Sequence, residues 1–277
     1  MTARQSLADH WPEYLIEAWG LASFMLAAGV CVTLVEYPGS PLHAALGDPA
    51  LRRALVGLAM GLTAIAIVYS PWGQRSGAHL NPAVTLTFWR LGKVAGWDAL
   101  FYVLAQFAGG TLGAVLAATL LQGAFTGAPV HYAVTVPGAA GPAVAFAAEL
   151  AISAALMFVI LTMSNTRGWM RLTGLAAGGL VAAYIALEAP LSGMSMNLAR
   201  TTASNLLAGE TSSLWIYATA PLLGMLAAAA GVGYAGYTAA GGRPIGCPKL
   251  FHRDTVPCIF CGAGRHPLPS FHPAGEA

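Results

Sequence analysis

The chain has 277 residues, of which 57% are hydrophobic and 9% are charged, and its formal net charge is +2. Soluble domains carry about 25% charged residues, so this composition excludes an ordinary soluble protein and indicates one that spans a membrane. The small net charge gives no argument for nucleic-acid binding, and the four cysteines do not form the framework of a disulfide-rich secreted domain.

Six apolar segments are each close to the ~20 residues that a bilayer requires. We predict spans at residues 14–35, 51–70, 97–121, 143–163, 172–189 and 214–238. Residues 1–11 are predicted to form a short polar head before the first span, and no cleavable signal peptide is evident. We therefore expect a membrane domain over residues 1–238 and a separate Pro-, Gly- and Cys-rich tail over residues 239–277.

A nine-residue motif follows the second span and occurs again 116 residues later. The first copy, Ser-Gly-Ala-His-Leu-Asn-Pro-Ala-Val, begins at Ser76, and the second, Ser-Gly-Met-Ser-Met-Asn-Leu-Ala-Arg, begins at Ser192. Asn followed by Pro is typical of a helix start, because Asn caps the helix and Pro loses no hydrogen bond at the first helical position. We predict short helices at about 82–90 and 198–207, each roughly half the length of a span.

The motif divides the membrane domain into two similar halves, at about 12–121 and 143–238. Each half has three spans, with a short helix after the second. Because three is odd, the halves have opposite orientations, and the two short helices enter from opposite faces and meet at the centre. Inverted repeats with broken helices at the midplane indicate a permeation or binding site.

The distribution of Lys and Arg predicts the orientation of the chain. If the N-terminus is cytoplasmic, the opposite side holds Arg52, Arg53 and Arg200 only. The cytoplasmic side then holds Arg4, Arg75, Arg90, Lys93, Arg167, Arg171, Arg243, Lys249, Arg253 and Arg265. This bias predicts a multi-pass protein of the cell membrane with both termini in the cytoplasm.

The two motifs resemble those of the aquaporin, or major intrinsic protein, family. The matching residues are Asn81, Pro82, Ala83, Asn197, Ala199 and Arg200, whereas Leu198 departs from the pattern, which has Pro there. Glu17 and Glu149 resemble the paired acids of the family on the first and fourth helices. The resemblance implies an all-α membrane protein with six transmembrane helices and two re-entrant half-helices in an inverted repeat. It also implies a pore in each protomer and a homotetramer within the lipid bilayer.

By the family pattern, Arg200 stands in an outer constriction with Met194, Ile185 and a residue of the second helix, which is Gly61 or Met60. Strict water channels usually have Phe on the second helix and His on the fifth, and neither is present. This favours a wider filter that passes glycerol-sized neutral solutes. However, Thr201 stands where glycerol facilitators typically have Asp, so a strict water channel is the alternative.

The resemblance thus predicts a passive channel for water and small neutral solutes that excludes ions and protons. It predicts no enzymatic activity, no nucleic-acid partner and no cofactor for transport. A secondary transporter would share the inverted repeat, but it needs coupling-ion ligands, and Glu17 and Glu149 are almost the only acids of the spans. We expect these two acids to hold the loops at 74–80 and 190–196.

The tail contains the pattern Cys247-x4-His252-x5-Cys258-x2-Cys261. Three thiolates and an imidazole are able to hold tetrahedral zinc, and a reducing cytoplasm favours a metal over a disulfide. Free thiols or a redox pair are the alternative reading. A further alternative for the function is therefore a membrane protein that responds to metal or redox conditions and is gated by this tail.

Overall fold

The computed structural model describes residues 1–166, 168–239, 246–253 and 255–262, with side chains in the last long helix as far as Val232. Arg167, Arg243 and Arg265 of the predicted charge bias lie outside these residues. The helices in chain order are α1 Ala3–Glu36, α2 Pro41–Ala45, α3 Pro49–Tyr69, α4 Pro71–Ser76, α5 Pro82–Arg90, α6 Gly96–Leu121, α7 Gly123–Thr126, α8 Pro142–Ser164, α9 Thr173–Leu187, α10 Ala189–Ser192, α11 Leu198–Ala208 and α12 Leu214–Ala239.

Six of these helices, α1, α3, α6, α8, α9 and α12, are long and apolar enough to cross a membrane. The two short helices α5 and α11 begin at the residue after each motif asparagine. The predicted fold class, six spans with two half-helices, is confirmed.

The N-terminal polar head is helical and not a separate segment, because α1 begins at Ala3 and continues without interruption into the first span. Thr2 caps this helix in a reciprocal arrangement with Gln5. Two polar side chains of this stretch, Ser6 and His10, are buried, and His10 Nδ1 lies 2.9 Å from Asp98 Oδ1 on α6. Polar residues that pair within a helix bundle look the same in sequence as polar residues that face solvent.

The two halves are interlocked through their half-helices. Within the halves, α1 packs along α6 and α8 along α12, while α3 and α9 pack against each other between the halves. The first half-helix, α5, contacts α12 of the second half, and the second half-helix, α11, contacts α6 of the first. Each half-helix is therefore held in place by the opposite half.

Small residues allow the closest of these helix contacts. A Cβ atom at Gly109 of α6 would lie 2.0 Å from the carbonyl oxygen of Ala18 on α1, and one at Gly113 would lie 2.3 Å from that of Ala22. Only glycine fits at such distances, and close backbone approach of this kind is a common basis of helix packing in membranes.

The outer surface of the bundle is apolar and carries many tryptophans. Leu, Phe and Val side chains of the long helices are exposed on it. The exposed tryptophans are Trp11, Trp72, Trp89, Trp97, Trp169 and Trp215. Exposed aliphatic side chains with tryptophans near helix ends are typical of a surface that faces lipid and its interfaces.

Candidate functional site

The first motif loop, residues 76–81, is held by the carboxylate of Glu17, which is fully buried in α1. Glu17 Oε1 accepts hydrogen bonds from Ser76 Oγ at 2.8 Å and from the backbone N–H of His79 at 3.1 Å. Glu17 Oε2 accepts from the backbone N–H of Leu80 at 2.6 Å and from Gln106 Nε2 at 2.9 Å. The loop is not helical, so its buried N–H groups need these acceptors.

The second motif loop, residues 192–197, is held in the same way by Glu149 of α8. Glu149 Oε1 accepts from Ser192 Oγ at 2.8 Å and from the N–H of Ser195 at 2.6 Å, and Glu149 Oε2 accepts from the N–H of Met196 at 2.7 Å. The structure thus brings both acids to the loops with which the sequence associates them. Both loops also turn at a left-handed glycine, Gly193 here.

The two motif asparagines cross between the loops. Asn81 Nδ2 donates to the carbonyl oxygen of Met196 at 2.6 Å, and Asn197 Nδ2 donates to that of Leu80 at 2.7 Å. Each amide therefore donates to the carbonyl of the residue that precedes the other asparagine. An amide nitrogen carries two N–H groups, so each asparagine retains a second donor beyond the one that fixes its position.

The oxygens of the same side chains cap the half-helices. Asn81 Oδ1 accepts from the N–H of Ala83 at 2.9 Å, and Asn197 Oδ1 accepts from the N–H of Arg200 at 3.2 Å. The N-terminal ends of α5 and α11 consequently lie next to one another in the middle of the protein. Each helix end contributes a partial positive charge of about half an elementary charge there.

A cavity of about 390 Å³ lies along this junction, and Asn81 and Asn197 both line it. On α3 the lining residues follow one another at helical spacing from the first turn to the last: Arg53, Val56, Met60, Ala64 and Val68. This stripe is about 22 Å long at 1.5 Å per residue, so the cavity extends along most of one membrane span. Most of its other walls are apolar, with both asparagines near the middle.

The constriction residues suggested by the sequence are distributed unevenly around this cavity. Met60, Ile185, Met194 and Arg200 line it. Gly61 does not, because it faces α9, where a Cβ atom would lie 2.6 Å from the carbonyl oxygen of Gly178. Of the two alternatives for the second helix, the structure therefore brings Met60 and not Gly61 to the cavity.

Arg200 is the cationic side chain closest in sequence to either asparagine. It is the third residue of the second half-helix, and its Nη1 is buried without a hydrogen-bond partner among the described residues. The corresponding residue of the first half-helix is Val84, which also lines the cavity. Of these two corresponding positions, only the one on the second half-helix carries a charge.

Several lining residues were not anticipated as part of the site, among them Arg53, His131 and Leu250. Arg53 begins the stripe on α3, His131 comes from the loop after α7, and Leu250 comes from the tail. Arg53 follows directly from helical spacing once Met60 is assigned to the lining. The other two depend on where long loops fold back, which no local pattern shows.

The tail residues suggested as metal ligands lie together. Cys247 Sγ is 3.4 Å from Cys258 Sγ, and His252 Nε2 is 3.2 Å from Cys261 Sγ. All four ligand atoms lie within 4.8 Å of one another. Three thiols and an imidazole are a donor set that suits zinc.

One further titratable group lies beside the second loop. Glu188 follows the fifth span, is 8% exposed, and neither of its carboxylate oxygens has a hydrogen-bond partner among the described residues. Burial, together with the negative charge of Glu149, raises the pKa of Glu188 to about 7.

Comparison with known proteins identifies the family of this arrangement. The profile of the family described as Major intrinsic protein matches residues 6–233. Aquaporin NIP1-3 of Oryza sativa subsp. japonica is 38% identical over 170 residues, or 61% of this chain and 57% of that protein. Aquaporin NIP1-1 of Zea mays is 37% identical over 175 residues, or 63% of this chain and 60% of that protein.

The match therefore spans somewhat less than two thirds of the length of these relatives. Among solved structures, the X-ray structure of the aquaglyceroporin from Plasmodium falciparum superposes with a TM-score of 0.63. That superposition covers 80% of this chain and 94% of the other at 19% sequence identity, so it shows a similarity of fold alone.

Proposed function

Because this chain belongs to the major intrinsic protein family, we propose that it is a passive channel for water and small neutral solutes that excludes ions and protons. The observation that carries the proposal is the crossing of the two motif asparagines within a cavity that extends along most of one membrane span. Asn81 and Asn197 both line this cavity, and their amides are fixed by Met196 and Leu80.

The selectivity follows from the charges and donors at the junction. A water or alcohol hydroxyl accepts from the remaining amide N–H groups of Asn81 and Asn197 as it passes. A cation meets the positive ends of both half-helices and Arg200, and the apolar walls do not replace its hydration shell. This is the established way in which half-helix dipoles and an arginine exclude protons and cations in aquaporins.

We propose that the constriction is formed by Arg200 with Met60, Ile185 and Met194. Three of these four side chains are apolar and none is aromatic, which favours solutes with an aliphatic backbone and hydroxyl groups. Glycerol-sized solutes have this chemistry, so we propose that they pass together with water. A pore that passes only water is the competing outcome.

The direct test is osmotic shrinkage and swelling of proteoliposomes followed by stopped-flow light scattering, with a chelator present. We expect water and glycerol to cross faster than in protein-free liposomes, with a weak temperature dependence, while potassium chloride does not cross. Water transport without glycerol transport would support the strict water pore. Permeability equal to that of protein-free liposomes for every solute would contradict the channel.

We further propose that both termini are cytoplasmic. Arg75, Arg90, Lys93 and Arg171 lie at one end of the bundle and Arg52 and Arg53 at the other, in agreement with the positive-inside rule. A C-terminal fusion to a reporter that is active only in the cytoplasm tests this orientation. Activity of a periplasmic or extracellular reporter at the same site would reverse it.

For the assembly we propose a homotetramer in the lipid bilayer. The exposed apolar faces of the long helices are compatible both with lipid and with neighbouring protomers. Native mass spectrometry from detergent tests this proposal, and a predominant monomer in mild detergent would oppose it.

A further inference from the structure

The tail segment, by which we mean the described residues 246–253 and 255–262, folds back onto the first motif loop. The carbonyl oxygen of Pro248 accepts from His79 Nε2 at 2.6 Å, and the N–H of Leu250 donates to the carbonyl oxygen of Gly77 at 3.2 Å. Lys249 Nζ donates to the carbonyl oxygen of Gln74 at 2.8 Å. Backbone and side-chain bonds thus attach the segment to the loop that positions Asn81.

Aromatic and aliphatic packing reinforces this attachment. The ring of Phe260 stacks on that of His79 with centroids 5.7 Å apart and planes inclined by 9°. Phe251 packs on Tyr69 at the end of α3, with centroids 4.7 Å apart. Cys258 is fully buried, so the segment forms part of the protein core at this end of the bundle.

Leu250 is the one described residue of the segment that lines the cavity, and it does so at the end where Val68 closes the stripe on α3. We refer to this end as the tail mouth. Leu250 is 7% exposed and packs in the same apolar cluster as Val68, Val84 and Ala177. A buried leucine at this end of the apolar cavity is placed where it would lie in the path of water.

The described residues of the segment contain no helix or strand that would hold them against the mouth. Segments this short usually need a disulfide or a metal to keep one conformation. The four ligand side chains are at the required place, since Cys247 and Cys258 flank the residues that bind the loop. The segment also lies outside residues 6–233, the range that matches the family.

The geometry of the four side chains suits one metal ion. Zinc–sulfur bonds of about 2.3 Å in a tetrahedron place sulfur atoms about 3.8 Å apart. The ligand atoms here are separated by 3.2 Å and 3.4 Å in two pairs, and by no more than 4.8 Å in any pair. Four protein ligands complete the tetrahedron, which is typical of structural zinc and leaves no open position for catalysis.

We propose that Cys247, His252, Cys258 and Cys261 bind one zinc ion, and that the zinc-bound tail segment closes the tail mouth through Leu250. The closing role rests on the proposed channel function. The metal site does not, because it depends only on the four ligands. Loss of zinc releases the segment and opens the pore.

The metal site is tested first, on full-length protein purified in detergent after expression with zinc chloride. We expect about one zinc per chain in the wild type, and a loss of at least half of it in the Cys258→Ser and His252→Ala variants. Cys31→Ser is the matched control, because Cys31 lies on α1 and does not line the cavity. Its zinc content should equal that of the wild type.

Absence of zinc from the wild type would overturn the metal site. So would an intact mass that shows a disulfide between two tail cysteines in protein purified under reducing conditions. Retention of zinc in both ligand variants would also contradict the assignment of the four ligands.

The closing role is tested in proteoliposomes by water permeability before and after zinc removal with a membrane-permeant chelator. We expect permeability to rise several-fold in the wild type and in Cys31→Ser, and to be high from the start in Cys258→Ser. Leu250→Ala keeps all four ligands, so it should retain zinc while conducting without a chelator.

Unchanged water permeability on zinc removal, together with a conducting wild type, would overturn closure and leave the channel proposal standing. If neither chelation nor Leu250→Ala raises permeability above that of protein-free liposomes, the channel proposal itself fails and closure fails with it. In that case the zinc content still decides the metal site.

Discussion

The two motif loops have nearly the same backbone and different chemistry. In each, a serine and two backbone N–H groups donate to a buried glutamate. In each, a tyrosine from a later helix donates to the carbonyl oxygen of the serine, Tyr102 in the first half and Tyr217 in the second. These contacts, which both halves share, fix the backbone of the two loops, and we refer to them as the shared frame.

The loops differ in the side chains that this frame presents. The position of His79, whose side chain binds Pro248 of the tail, is taken in the second loop by Ser195. The Ser195 hydroxyl bonds to Asn197 and Thr201 of its own half. The position of Val84 is taken by Arg200, and both line the cavity. The shared contacts thus position the asparagines. The residues that differ attach the tail to the first loop, through His79, and place an arginine on the second half-helix, at Arg200.

The largest effect is expected from breaking the frame. Glu17→Ala leaves Ser76 Oγ, two loop N–H groups and Gln106 Nε2 without their acceptor. Each unsatisfied buried donor costs about 1–3 kcal/mol, so the variant should lose more than about 3 kcal/mol of folding stability. The measurement is thermal unfolding and the monodisperse fraction in detergent.

Glu149→Ala should cost somewhat less, because Glu149 accepts from three donors and Glu17 from four. Glu→Gln at either position keeps one acceptor oxygen and serves as the matched control with a smaller loss. Equal melting temperatures for wild type and both alanine variants would show that the acids do not hold the loops.

The next largest effect is expected from making the two half-helices alike. Arg200→Val gives the second half the residue of the first and removes the charge next to the motif asparagine, while Arg53 stays in the cavity lining. We expect cation or proton flux in proteoliposomes to rise by about tenfold, equivalent to about 1.4 kcal/mol of barrier, while water flux changes little. A pH-sensitive dye inside the liposomes reports the proton flux.

Val84→Ala is the control for a changed wall without a changed charge, and Arg200→Lys is the control for a retained charge. Neither should raise the cation flux appreciably. An equal increase in Val84→Ala would mean that pore width, and not the charge of Arg200, limits cation passage.

The shared frame is also the part of the molecule that the sequence predicts best. The spans follow from runs of apolar residues, and the half-helix starts follow from local capping at Asn81 and Asn197. The positions of Met60 and Gly61 could not be separated, because the short helix α4 between span and motif alters the count of residues. Leu250 and His131 reach the cavity through loops whose paths depend on long-range contacts.

A smaller effect concerns a carboxylate that only the second half carries, since the residue 116 positions before Glu188 is Trp72. Burial is the largest cause that raises the pKa of Glu188, and the negative charge of Glu149 raises it further. Its pKa is about 7, above the ordinary value near 4.5. The unfolded chain loses this proton at lower pH than the folded chain does. The contribution of Glu188 to the free energy of unfolding is therefore fully present below about pH 4.5, and it is lost as the pH rises towards 7.

Glu188→Gln removes this dependence. At pH 8 the variant should be more stable than the wild type by about 1–2 kcal/mol, once solvent screening is allowed for, and at pH 4.5 the difference should vanish. Thermal unfolding at both pH values is the measurement, and Asp9→Asn, an exposed carboxylate of α1, is the control. A constant difference across this range would contradict the raised pKa.

The smallest effect is expected from Leu198→Pro, which restores in the second motif the proline of the first. Asn197 has φ −147° and ψ 103°, close to the φ −152° and ψ 122° of Asn81, so the residue before the new proline already has the extended conformation that proline requires. Leu198 is the first residue of α11, where the N–H has no helical acceptor to lose. Restriction of the unfolded chain should then stabilise the protein by about 0.4–1 kcal/mol, with water permeability retained.

Pro82→Leu should lose a similar amount of folding stability, because the same argument applies with the opposite sign. Loss of folding in Leu198→Pro would mean that the second half-helix does not start as the first one does, and the equivalence of the two loops would not extend to their helices.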